Sequence, residues 1–189
     1  MSIRDSHGLT LSGADATSLE HYGRALHQFQ CYIEDPVASV DAALARSPDF
    51  VMAHVLKAYL NLLGTEPQAI AVARESLAAA ARCDGTAHER GHLEAVGHLV
   101  QGRWHQAGRV LEDIAVDHPR DIVALQSGHL VDFYTGNSRM LRDRIAPLCD
   151  YVLLPHRGGE IEIALCPTTD EQRQVMSDFL AGLELLPED

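Results

Sequence analysis

Apolar residues recur at three- and four-residue intervals along most of this chain, and each such run ends at a proline, a glycine or a short polar cluster. Such spacing puts the apolar positions on one helical face and predicts amphipathic helices joined by short turns. From Asp15 onward Leu19, Tyr22, Leu26, Phe29 and Ile33 make the first stripe, and Asp35-Pro36 restarts a helix through VASVDAALARS. Proline suits that first turn, because its missing N–H would have no partner there anyway. DFVMAHVLKAYLNLLG and EPQAIAVARESLAAAARCDG predict two further helices, closed by Gly64 and Gly85. RDIVALQSGHLVDFYTG and NSRMLRDRIAPLCDYV predict a last pair, the second weakened by Pro147.

The stretch from His88 to Asp121 reads in two incompatible ways. As one 34-residue tetratricopeptide repeat it places Ala95 at position 8, Gly102 at 15, Ala107 at 20, Leu111 at 24 and Pro119 at 32. These are the types such a repeat favours where its two helices touch or turn, and Trp104 follows the turn. Pro48 precedes Pro119 by 71 residues, one such repeat plus one of 37. The expectation is an all-α array of about four antiparallel helical pairs over residues 16–150, an α-solenoid, with an extended lead over 1–15. Residues 151–189 are expected to add an irregular or hairpin segment around Gly158-Gly159 and a last helix. Its stripe of Val175, Met176, Phe179, Leu180 and Leu183 is expected to cap the array or to form a homodimer contact.

The competing reading takes His88-Glu89-Arg90-Gly91-His92 as the H-E-x-x-H string of zinc peptidases. His88 and His92, four apart, share a helix face, but His98 would lie about 15 Å along the axis from His88. Ala95, a strong helix former, stands where a third ligand would require the helix to break. No catalytic zinc is therefore expected; the alternative, a metal-dependent hydrolase, would use His88, Glu89 and His92 with a distant carboxylate.

Repeat positions 2, 5, 9 and 12 line the concave groove of such arrays. They assign Glu89, His92, Val96, Leu99, Val123, Gln126, Leu130 and Phe133 to it, with His54, Tyr59 and His129 nearby. That mostly apolar lining suits an amphipathic or extended peptide better than an acidic tail, which needs a Lys/Arg clamp. His129 and Asp132, three apart, are expected to pair.

Composition removes several classes. A net charge of −12 and a pI near 5.2 argue against nucleic acid or an anionic membrane as partner. Cys31, Cys83, Cys149 and Cys166 show no metal-ligand or disulfide-framework spacing, and no signal-peptide core or spanning run is present, so a cytoplasmic protein is expected. No phosphate loop, G-x-S-x-G or Cys-His nucleophile context occurs, and the reading calls for no cofactor.

The strings DPVASVDAALARSPDFVMAH, LLGTEP, HPRDIVALQSGHLVDFYTG and LRDRIA, in this order and spacing over residues 8–148, resemble the tetratricopeptide repeat protein 38 family. The resemblance implies a helical-repeat fold and brings with it no well-established catalytic activity. The expected function is a binding scaffold for a protein or peptide partner, with a small-ligand-binding accessory protein as a further alternative.

Overall fold

A computed structural model describes residues 3–144; the expected cap or dimer contact of residues 151–189 lies outside the described residues, as do Cys149 and Cys166. Among the described residues a two-stranded antiparallel hairpin, β1 (Ile3–Arg4) and β2 (Thr10–Leu11), leads into eight helices. These are α1 (Ala16–Cys31), α2 (Pro36–Arg46), α3 (Val51–Leu63), α4 (Ala69–Ala80), α5 (Ala87–Val100), α6 (Trp104–Asp117), α7 (Ile122–Tyr134) and α8 (Ser138–Asp143). They pack as sequential pairs, α1 with α2, α3 with α4, α5 with α6 and α7 with α8. The short connections within each pair make the partners antiparallel.

Local sequence explains most helix starts. Asp15 forms a capping box with Ser18, Asp35 accepts from the amides of Val37 and Ala38, Thr86 forms a capping box with Glu89, and Asp121 caps α7 through Ala124. Each satisfies amides that the first helical turn leaves without a partner. Phe50, before α3, has no side-chain cap; it is fully buried, with its ring centroid 5.1 Å from that of Tyr22.

The expected turn after Val100 is present, with Gly102 at φ +73°, and Ala95 and Ala107 are both fully buried between packed helices. At Gly91 a Cβ would come within 3.2 Å of Ile114, so α5 and α6 approach closely there. Two helix ends differ from expectation. Gly64 stays right-handed and Thr65 takes the left-handed position at φ +59°, while α4 stops at Ala80, five residues before Gly85.

The lead was expected to be extended, and it is instead a hairpin docked on the helices. Leu11 is buried, the Ser12 carbonyl accepts from the Val51 amide at 3.2 Å, and Gly13 lies so close to the Asp49 carbonyl that no Cβ fits between them. α3 packs against α1, α2, α4, α5 and α7, which makes it the central helix. α7 reaches back to the first two pairs: the Gln126 side-chain amide donates to Tyr32 Oη, just after α1, at 2.8 Å, and Tyr134 Oη donates to the Leu63 carbonyl at the end of α3 at 2.8 Å. Among the described residues no helix is long and apolar enough to cross a membrane.

Candidate functional site at the start of helices α5 and α7

His88 and His92 stand one turn apart on the face of α5 directed at the start of α7. Asp121 sits opposite because it is the N-cap of α7: its Oδ1 accepts from the Ala124 amide at 3.0 Å, which leaves Oδ2 facing α5. Both histidines reach that one oxygen through Nε2, His88 at 2.5 Å and His92 at 2.7 Å. The His92 and Asp121 side chains are 0% and 1% exposed, and that of His88 is 8% exposed.

The surroundings fix His92 further. Tyr59, buried on α3, places its hydroxyl 3.2 Å from His92 Nδ1 and donates to the His92 carbonyl at 3.4 Å. The His118 ring lies with its centroid 4.6 Å from that of His88, while His88 Nδ1 is buried without a hydrogen-bond partner. Burial alone would raise the Asp121 pKa; the charge and hydrogen bonds of His92, with those of His88, outweigh it and hold the carboxyl well below the usual range.

Glu89, the remaining acidic residue of the H-E-x-x-H string, is committed elsewhere. Its carboxylate accepts from the Ser12 amide at 2.8 Å, from Ser12 Oγ at 2.7 Å and from the Thr86 amide at 2.7 Å. With its side chain fully buried, it joins the N-terminal hairpin to the first turn of α5. The carboxylate is held by three donors, which leaves it poorly placed to take a proton from a substrate or a water. His98 lies two turns along α5 from His92, with Nε2 3.7 Å from Glu94.

The expected groove residues fall into two sets. Tyr59, Glu89, His92, Val96, Leu99 and Val123 are buried in the interior and present no open surface. His54, Gln126, His129 and Leu130 are half-buried and Phe133 is 65% exposed. His54 Nε2 donates to the Pro48 carbonyl at 2.7 Å. The expected pairing of His129 with Asp132 is not found. Asp132 instead accepts from Arg144 Nε at 2.7 Å, and His129 Nδ1 has no partner.

Asp121 and His118 were not singled out from the sequence as site residues, although an aspartate directly before an apolar helical run is an N-cap signal. A solvent-open hollow of about 540 Å³ lies by Thr65, Trp104 and Tyr134, at the opposite end of α5 from His88, and has no part in this cluster. No family model matches the chain, and no solved structure matches it at a significant level.

Proposed function

We propose that the chain is a non-catalytic helical-repeat scaffold, of the kind the resemblance to the tetratricopeptide repeat protein 38 family implies, which holds a protein or peptide partner. The observation that supports this most is a half-buried stripe on α7 that ends in an exposed ring, Phe133 being 65% exposed. Gln126, Leu130 and Phe133 follow at intervals of four and three, so they share one helical stripe. Gln126 bonds to Tyr32, which is itself 71% exposed, beside Ile33 at 40%. Aromatic rings at low entropic cost, with a few polar handles, are what interface anchors are made of. The net charge of −12 favours a partner that is neutral or basic on its docking face.

The convergence of His88, His92 and Asp121 favours a second reading, a metal-dependent hydrolase. Two observations weigh against it: Glu89 is occupied by Ser12 and Thr86, and His92 and Asp121 are too enclosed to admit a substrate.

A photo-crosslinking amino acid at position 133, compared with one at position 116, tests the scaffold in the native host. Val116 is an equally exposed apolar position, at 73%, but on α6. The expected result is a discrete protein adduct from position 133 that Tyr32→Asp abolishes, with none from 116. Equal labelling at both positions, or none at 133, would refute the reading.

A further inference from the structure

We propose that His88, His92 and Asp121 form a structural site for one divalent transition-metal ion of the zinc class, bridging α5 and α7. This goes beyond the scaffold reading and does not depend on it. It also departs from the expectation that no metal binds here. That expectation rested on His98 being out of reach, whereas the third ligand comes from the start of another helix.

The donor set is the first support. One atom from each of the three side chains lies within 4.8 Å of the others, two imidazole nitrogens and one carboxylate oxygen. Imidazole with carboxylate suits zinc, cobalt, nickel or copper; magnesium and calcium prefer all-oxygen cages.

The second support is how the non-ligating atoms are used. A histidine that binds through Nε2 carries its proton on Nδ1 and gives it to a neighbour; His92 is placed to do so, whereas His88 Nδ1 has no hydrogen-bond partner. His92 Nδ1 faces Tyr59 Oη, and that hydroxyl in turn has the His92 carbonyl for its own proton, so the outer shell of His92 is complete. Asp121 uses Oδ1 on the Ala124 amide and keeps Oδ2 for the ion. Without an ion the two imidazoles must both donate to a single oxygen.

Space is the third consideration. Metal–ligand distances of about 2.0–2.2 Å require the nitrogens and the oxygen to stand somewhat further apart than the observed 2.5 and 2.7 Å. Binding therefore requires the Asp121 carboxylate to draw back from both imidazoles, and not His88 alone to move. The His118 ring packs edge-on against that of His88, with centroids 4.6 Å apart, but it is not among the residues whose ligand atoms converge.

The test uses the full chain without a histidine tag, stripped with chelator and titrated with Co²⁺, then with Zn²⁺ in competition. Wild type should take up one Co²⁺ per chain with the visible absorption of a low-coordinate site, be displaced by Zn²⁺, and melt at a higher temperature with metal. His88→Ala should weaken binding by more than about 100-fold, since even outer-shell changes cost about 10–100-fold, and should lose the metal-dependent rise in melting temperature. His88→Gln, whose amide can still donate to Asp121, replaces it if the alanine variant does not fold. His105→Ala, at an exposed histidine on α6, should bind as wild type does. A wild type that takes up no Co²⁺, or a His88 variant with unchanged affinity, would overturn the proposal.

Discussion

His92 and Asp121, 29 residues apart, meet at 2.7 Å inside the protein, so the start of α7 is fixed to the middle of α5 by a buried charged hydrogen bond. Removing the carboxylate strands two histidine donors and also uncaps α7. Asp121→Ala should therefore cost roughly 3–5 kcal/mol, the range for breaking a buried pair from one side. Asp121→Asn keeps a capping oxygen and should cost less. Urea unfolding of metal-free protein checks both; an alanine variant within 1 kcal/mol of wild type, by order of magnitude, would show that the contact contributes little.

Glu89 predicts a different coupling. Its bonds to Ser12 span 77 residues and tie the hairpin to the array. Ser12→Ala should cost about 1.5–3 kcal/mol, the usual range for a hydrogen bond to a charged group. In a Glu89→Ala background the same change should cost much less, because the acceptor is already gone. A double-mutant cycle by denaturant melts measures this, and additive losses would mean that Ser12 acts through something other than Glu89.

The helices were legible because their signals are local: Asp15, Asp35 and Asp121 cap runs of regular periodicity, and Gly102 turns left-handed between two such runs. The candidate site was legible only in half. His88 and His92 share a face by spacing alone, but their meeting with Asp121 depends on how the third and fourth helical pairs are rotated against each other, which no short window encodes. The same holds for Glu89, whose partner Ser12 belongs to a hairpin that the sequence presents as a polar lead. The groove positions were assigned as if the array were open; α3 packs against both α5 and α7, and residues such as Tyr59, Val96 and Leu99 are enclosed. The pairing of Asp132 with Arg144 rather than His129 is likewise set by helix packing.

Tyr22 predicts the alkaline behaviour. Burial first, then the negative charges of Asp121, Asp5 and Glu89, push its phenol well above the usual value. The folded state therefore holds this proton more tightly than the unfolded chain does. The resulting stability is fully present below about pH 10, the unfolded value, and is lost as pH rises beyond it. Each such group gives a slope of up to about 1.4 kcal/mol per pH unit. Tyr22→Phe should remove its share of that slope and raise the pH of alkaline unfolding. A variant that unfolds at the same alkaline pH as wild type would show that Tyr22 is not the group being resisted.

The last prediction concerns Gly128, where α7 leaves a slot for Arg144. The guanidinium lies between Asp132 Oδ2, at 2.7 Å, and the Gly108 carbonyl, at 3.1 Å, and a Cβ on Gly128 would fall 2.6 Å from its central carbon. Arginine is flexible enough to withdraw, but doing so leaves Asp132, only 3% exposed, without its counter-charge. Gly128→Ala should therefore destabilise by roughly 1–3 kcal/mol, although alanine is the better helix former by about 0.8–1 kcal/mol. In a background carrying Asp132→Ala and Arg144→Ala the slot has nothing to hold, so the same glycine change should become neutral or stabilising. That reversal of sign, read from thermal melts of the four proteins, separates the packing of Arg144 from a general intolerance of α7 to side chains. If Gly128→Ala destabilises equally in both backgrounds, the slot is not what requires glycine.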